Sequence, residues 1–207
     1  AQVARILAVR EVRATLAALE QAGAEARYVA VDVQDAAAVA AALDAVRREW
    51  GAVAGIIHGA GVLADRPIAD KTLEQFDRVF ETKVSGLRAL LDATRDDPIR
   101  LLCLFSSVAG RFGNVGQCDY AMANEVLGRV AAAEAQRRGE ACVVRTIDWG
   151  PWDGGMVTPA LRTLFQRRGV PLIPLEVGAR MLVQELCSRG PVEVLIGGVP
   201  PSGLLAA

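Results

Sequence analysis

A single histidine and four cysteines are all that this 207-residue sequence offers as nitrogen and sulfur metal ligands. A structural zinc site needs about four such ligands at short spacing. The cysteines are instead widely separated and form no C-x-x-C pair: Cys103, Cys118, Cys142 and Cys187. We therefore expect no metal site and no disulfide framework, and predict free thiols in a reducing, cytoplasmic compartment.

The sequence also lacks an excess of either charge and any long apolar run. Lys and Arg total 23 against 24 for Asp and Glu, a net charge of −1. A nucleic-acid partner would call for a strongly basic face, and a membrane span for about 18 or more consecutive apolar residues. We expect neither partner. With 52% hydrophobic residues, residues 1–207 are predicted to form one globular domain.

Helical and strand patterns alternate along the chain. Apolar residues recur at helical spacing in 2–22, 36–49, 72–94, 121–138 and 176–189. Short apolar segments typical of buried parallel strands are 28–33, 53–58, 101–106, 142–148 and 192–196. Residues 150–174 are expected to be irregular. This alternation predicts an α/β fold, a doubly wound parallel sheet of the Rossmann type.

One expected feature of such a fold is missing from the pattern. A dinucleotide-binding domain normally opens with a strand and a Gly-rich turn, whose backbone amides bind the pyrophosphate at a helix N-terminus. Here the first segment is helical, and no G-x-G-x-x-G follows a strand. We therefore expect the domain to lack its first βαβ strand and Gly-rich turn, that is, to be incomplete at its N-terminus.

Four polar residues fall in an informative order and spacing. Ser107 ends a strand in FSSVAG, and Tyr120 follows thirteen residues later in QCDYAMAN. Asn124 stands four residues after the tyrosine, and Lys83 lies upstream in ETKVSG. This arrangement resembles the ketoreductase domains of polyketide and fatty-acid synthases, members of the short-chain dehydrogenase/reductase superfamily. In most of that superfamily the lysine occupies the Tyr+4 position, and the synthase ketoreductases exchange it with the asparagine, as here.

The resemblance implies NADPH-dependent reduction of a 3-ketoacyl thioester to the 3-hydroxyacyl thioester. The substrate would be carried on the phosphopantetheine arm of an acyl carrier protein, and other synthase domains would be partners. The phrases RFGNVGQCDYAMANE and GPWDGGMVTPALRTLF most resemble ketoreductases of polyunsaturated-fatty-acid-type and related bacterial iterative synthases.

The chemistry accounts for these residue types. Hydride addition to a ketone builds charge on its oxygen, so a proton donor and a second hydrogen-bond donor must face that atom. A phenol, with a pKa of about 10, is a weak acid, and a nearby ammonium would lower that pKa. Tyr120 is therefore the predicted acid, Lys83 its electrostatic partner and Ser107 the second donor. Asn124, on the same helix face as the tyrosine, would hold this relay in place.

Further segments resemble the family's cofactor-binding positions. HGAG at 58–61 resembles its motif after the fourth strand, the pair 32–33 its adenine contact, and WGPWDGGMVT at 149–158 the turn that borders the nicotinamide and the lid beyond it. The resemblance thus implies a cofactor site made of Asp32, Val33, Gly59, Ala60, Gly61, Lys83, Tyr120, Gly150 and Pro151.

Stereocontrol in polyketide ketoreductases follows an L-x-D signature, or else a tryptophan eight residues before the catalytic tyrosine. Leu63 and Asp65 resemble the first signature, with Ala64 between them, and Phe112 occupies the tryptophan position. The resemblance implies the D-configured 3-hydroxyacyl product. Gln117 and Met156 complete the predicted substrate set.

Other interpretations stay open for these residues. Alone, Lys83 would be a solvated helix residue, Ser107 a helix cap and Asp65 a solvent-facing carboxylate. A Ser-His-Asp hydrolase is disfavoured, because G-x-S-x-G is absent and the single His58 precedes Ser107. The alternative from another class is a catalytically silent, reductase-like scaffold domain.

Overall fold

The computed structural model describes residues 2–197, with side chains from residue 6 onward. The chain divides into two compact units, residues 1–32 and residues 33–207. The first unit contains helix α1, Gln2–Gln21. Along the described part of the second unit the elements are α2 (Ala36–Trp50), β1 (Gly55–His58), α3 (Leu73–Ala93), β2 (Leu101–Ser107), α4 (Val108–Phe112), α5 (Cys118–Arg138), β3 (Val143–Trp149), α6 (Pro159–Arg167), α7 (Leu175–Cys187) and β4 (Glu193–Ile196).

The four strands form one parallel sheet in the order β1-β2-β3-β4. Each connection between neighbouring strands includes at least one helix, as parallel pairing requires. The predicted α/β architecture is therefore confirmed. Within residues 2–197, no helix is long and apolar enough to cross a membrane.

Both faces of the sheet are covered, as the apolar strand sequences predict. Successive β2 side chains point to opposite faces. Leu102 and Leu104 pack in a cluster with Leu87 of α3 and Leu127 of α5. Cys103 belongs to a second cluster, against which the α7 side chains Leu182 and Leu186 pack. The sheet is thus the middle layer between α3 and α5 on one side and α7 on the other.

The predicted strand over residues 28–33 is wrong. These residues form no strand, and Tyr28 and Val29 are 60% and 44% exposed. A strand requires a neighbour to complete its hydrogen bonds, and among residues 2–32 the structure describes one helix and no strand. The β-branched composition therefore misled the prediction.

The expectation that residues 150–174 are irregular is also wrong in part. Helix α6 lies within this segment, with Thr158 as its N-cap. The Thr158 hydroxyl accepts a hydrogen bond from the backbone N–H of Leu161 at 3.3 Å, and Pro159 occupies the first helical position. Thr-Pro is a recognised helix start, so the sequence did contain this signal.

Candidate active site

Three of the four predicted catalytic residues, Lys83, Ser107 and Tyr120, line one cleft of about 640 Å³ in the second unit, formed at the carboxyl ends of β1, β2 and β3. This is the edge at which parallel α/β sheets bind ligands. Eleven of the residues singled out from the sequence line the cleft: Gly59, Gly61, Leu63, Asp65, Lys83, Ser107, Gln117, Tyr120, Gly150, Pro151 and Met156.

Ser107 lies where β2 ends and α4 begins. Its hydroxyl caps α4 by accepting the backbone N–H of Ala109 at 3.1 Å. The interpretation of Ser107 as a helix cap is thus confirmed, and the residue also lines the cleft. A hydroxyl has one donor and two acceptor positions. Capping uses an acceptor, so the O–H proton remains able to point at a ligand.

Tyr120 and Asn124 lie one turn apart at the start of α5. The Asn124 amide Nδ2 donates a hydrogen bond to the Tyr120 backbone carbonyl at 2.8 Å. Asn124 is 1% exposed, so it is not a surface amide. Among the described residues its Oδ1 atom has no hydrogen-bond partner. Asn124 therefore contacts the backbone of Tyr120 and keeps one buried acceptor unused.

Lys83 is buried on α3, with only 3% of its surface exposed, so its interpretation as a solvated helix residue is wrong. Its Nζ donates a hydrogen bond to the Phe105 carbonyl at 2.8 Å and lies 5.5 Å from the centroid of the Tyr120 ring. Burial lowers the pKa of Lys83 from 10.5 to about 8. The ammonium is therefore mostly charged at neutral pH.

The pKa of Tyr120 contradicts the expectation of a lowered value. Burial of the phenol raises its pKa above 10, and the Asp65 carboxylate adds to that rise, while the side chains of Asn124 and Ser107 oppose it. Burial destabilises the phenolate by more than the hydrogen bonds with Asn124 and Ser107 stabilise it. In this structure Tyr120 is thus a protonated phenol at neutral pH.

Gly61, which lines the cleft, leaves space that a larger residue would fill. A Cβ atom on Gly61 would lie 3.2 Å from the Lys83 Cε atom and 3.6 Å from the Met156 Cε atom. That spacing is tight enough to push on the lysine. Because Gly61 has no Cβ atom, it does not crowd the Lys83 side chain, and a ligand can approach its backbone closely.

His58, the single histidine, contacts the backbone of Lys83. The imidazole is 2% exposed, and its Nε2 lies 2.9 Å from the Lys83 backbone carbonyl. Burial lowers the pKa of His58 to about 4. The ring is therefore neutral at neutral pH, and its Nε2–H donates to this carbonyl.

The segment 63–66 forms one wall of the cleft and is tied to the segment before α5. The Gln117 Nε2 atom donates to the Asp65 Oδ2 atom at 2.9 Å, and the Arg66 backbone N–H donates to the Gly116 carbonyl at 2.9 Å. Although Asp65 is exposed, its carboxylate is held in a defined place. Its interpretation as a solvent-facing loop carboxylate fits this exposure, and its role in stereocontrol stays a prediction.

Some predicted site residues lie elsewhere. Among the side chains of residues 6–197, those lining the cleft do not include Val33, Ala60, Phe112 or Asn124. Val33 lies beside α3, where its Cγ2 atom would be 2.9 Å from a Cβ atom added to Gly86. Phe112 ends α4 and is 40% exposed. Asp32 belongs to the first unit. Their assigned roles stay predictions.

Sequence reasoning missed much of the apolar lining. Trp149 and Trp152 lie 4.6 Å apart between ring centroids, and Phe105 lies 5.5 Å from Trp149. All three line the cleft, together with Leu161, Leu164 and Phe165 of α6 and Leu175 of α7. The Thr-Pro start of α6 would have revealed its apolar face. The cleft thus has one polar end, which holds the predicted catalytic residues, and an apolar flank.

The sequence matches a known family over most of its length. Residues 3–154 match the sequence model described as KR domain. The chain is 45% identical over 196 residues to a polyunsaturated fatty acid synthase protein from Thraustochytrium sp., covering 94% of this chain and 7% of that protein. It is 34% identical over 188 residues to polyketide synthase PksM from Bacillus subtilis, covering 88% of this chain and 4% of that protein.

Solved structures give the same result. An N-terminal ketoreductase from the macrolactin assembly line superposes with a TM-score of 0.80 at 30% identity, covering 95% of this chain and 39% of that one. A ketoreductase domain from the bacillaene assembly line gives 0.79 at 33% identity, covering 91% and 46%. The chain thus spans less than half of these solved chains and under a tenth of the two synthases.

Proposed function

This chain belongs to the KR domain family found in polyketide and polyunsaturated fatty acid synthases, and from that premise we propose that it reduces a 3-ketoacyl thioester with NADPH. The observation that most directly supports this proposal is that Ser107, Tyr120 and the buried Lys83 ammonium line one cleft. The product is the 3-hydroxyacyl thioester. Family membership supports an oxidoreductase, and NADPH is the cofactor typical of such domains.

The cleft fits a nicotinamide cofactor. The backbone at Gly59 and Gly61 is open to close approach, and a Cβ atom at Gly61 would intrude on Lys83. Together with Gly150 and Pro151, which also line the cleft, these residues would hold the nicotinamide end. Val33 and Ala60 are proposed for the remainder of the cofactor, and Asp32 stays a prediction from the sequence. Bound NADPH supplies the hydride that adds to the ketone carbon.

The protein's own groups handle the carbonyl oxygen and its proton. Ser107 and Tyr120 both donate to the oxygen as negative charge develops on it. The raised pKa of Tyr120 keeps the phenol protonated until the oxygen becomes basic enough to take the proton. Lys83, with its Nζ atom 5.5 Å from the ring centroid, then stabilises the phenolate that remains. Asn124 fixes the backbone from which the tyrosine projects.

We propose that the substrate enters along the side of the cleft formed by the segment 63–65, which we call the stereocontrol wall. A thioester on the phosphopantetheine arm of an acyl carrier protein would enter beside Leu63, Asp65 and Gln117, and Met156 and Phe112 are proposed as further substrate contacts. The catalytic donors are fixed, so the direction from which the substrate enters decides which carbonyl face receives the hydride. We expect the D-configured alcohol. The neighbouring domains of a larger synthase would supply the ketone and use the alcohol.

The test follows NADPH consumption by the full-length natural protein, with a 3-ketoacyl thioester and mass spectrometry of the product. We expect the 3-hydroxyacyl thioester in step with NADPH loss. Tyr120→Phe should lower the rate at least about a hundredfold, as loss of general-acid catalysis does. Tyr28→Phe, at the exposed second tyrosine, is the matched control and should be unaffected. NADPH binding without reduction would favour the silent scaffold instead.

A further inference from the structure

A buried ion pair lies beside the cleft without lining it. The Lys71 Nζ atom is 2.7 Å from the Asp119 Oδ2 atom, and the two side chains are only 3% and 1% exposed. The sequence contains just two lysines among its 23 basic residues. One is Lys83 in the active site, and the other is Lys71. Both side chains are buried, although lysine is normally a surface residue.

Each partner of this pair also holds backbone on one side of the cleft. Lys71 donates a second hydrogen bond, to the Ala64 carbonyl at 2.9 Å. Ala64 stands between Leu63 and Asp65 in the stereocontrol wall. The Asp119 Oδ1 atom accepts the backbone N–H of Tyr120 at 2.9 Å. A continuous path of three hydrogen bonds therefore joins the wall to the catalytic tyrosine.

A buried pair of this kind is a poor source of stability, because removing both charges from water offsets much of their attraction. Its geometric effect is more specific. An ammonium and a carboxylate shielded from water stay in close contact. Here that contact fixes the segment 63–65 relative to the first turn of α5. Neither Lys71 nor Asp119 is among the described residues that line the cleft, so the pair acts through what it holds.

We propose that Lys71 and Asp119 are positioning residues that fix the stereocontrol wall relative to Tyr120, and so hold the product to one hand. This inference rests on the proposed ketone reduction. If the pair were broken, the Ala64 backbone would lose a hydrogen-bond donor, and Leu63 and Asp65 would shift relative to the phenol. The substrate could then present either carbonyl face, and productive alignment would be less frequent.

Three variants of the full-length natural protein test this. Lys71→Met removes both contacts of the ammonium. Asp119→Asn keeps an acceptor for the Tyr120 N–H but removes the charge that pairs with Lys71. The double variant removes both charges together, so that neither is left buried alone. Arg88→Met, at an exposed ion pair with Asp92 on α3, is the matched control.

We measure kcat, the KM for NADPH and the ratio of product enantiomers. Each of the three variants should show kcat lowered about tenfold or more, since small misplacements of reacting groups are costly, with a larger share of the minor enantiomer. The KM for NADPH should stay within about twofold of the unsubstituted value, because neither side chain lines the cleft and the pair contacts the predicted cofactor site only through the Tyr120 backbone. Arg88→Met should change none of the three.

An unchanged enantiomer ratio in the folded double variant would overturn the proposal, whatever its kcat. Failure of the double variant to fold would also overturn it, by showing that the pair serves stability. If the unsubstituted protein makes no 3-hydroxyacyl product, the proposed function fails and the inference falls with it. A normal product from the unsubstituted protein separates the two questions.

Discussion

Lys83→Met should change how the stability of the complete ketoreductase domain depends on pH. Burial lowers the pKa of Lys83 from 10.5 to about 8. Between pH 8 and 10.5 the unfolded chain therefore keeps a proton on this lysine that the folded chain has released. Stability rises with pH wherever the unfolded state binds more protons. The wild-type protein should gain stability over this window, and the methionine variant should lack this contribution.

The size of the effect follows from the same values. The pKa falls by 10.5 − 8, or about 2.5, and one pKa unit corresponds to about 1.4 kcal/mol. The difference in unfolding free energy between wild type and Lys83→Met should thus move by roughly 3 kcal/mol in favour of wild type from about pH 7 to 10.5. Urea denaturation of the cofactor-free proteins at a series of pH values measures it. Parallel stability curves would refute the reasoning, because they would mean that Lys83 titrates as a solvated lysine does.

Three further outcomes are expected. Gly178→Ala should destabilise the domain by about 1–3 kcal/mol in thermal or urea unfolding, because the new Cβ atom would lie 2.4 Å from the Trp152 ring. A Gly128→Ala control has nothing within 4 Å and should be tolerated. His58→Gln should remove an acid-sensitive contribution. As pH falls from 6.5 towards 4, wild type should lose roughly 3 kcal/mol relative to the variant, since burial lowers the His58 pKa to about 4. Asp65→Ala should release Gln117 and raise the share of the L-configured alcohol on chiral chromatography, and an unchanged enantiomer ratio would contradict the role of Asp65.

The parts of the fold that depend on local sequence pattern were predictable. The apolar runs around residues 101–106 and 142–148 became β2 and β3, and Thr72 and Gln75 form a capping box at the start of α3. That cap fixes where the helix begins, and so which of its faces carries Lys83. Parallel strands end at a common edge, so Ser107 could be placed at the site from the sequence.

Features that depend on distant partners could not be predicted. Lys71 and Asp119 are 48 residues apart, and neither position shows in its own neighbourhood that it will be buried with the other. The predicted lowering of the Tyr120 pKa was wrong for a similar reason. Burial of the phenol has the largest effect on this pKa, and the sequence does not show that burial. Residues 28–33 have the composition of a strand, but residues 2–32, the described part of the first unit, contain no strand. In each case tertiary surroundings outweighed local pattern.

Hydride transfer to a 3-ketoacyl carbon is the central claim, and isotope labelling tests it most directly. The full-length natural protein is given NADPH deuterated on either face of its C4 carbon, with a 3-ketoacyl thioester, and the product is analysed by mass spectrometry. We expect one of the two labelled cofactors to place a single deuterium on C3 of the hydroxyacyl product, and Tyr120→Phe to slow that transfer at least about a hundredfold. No deuterium in the product from either cofactor, or transfer at an unchanged rate in Tyr120→Phe, would contradict the assignment.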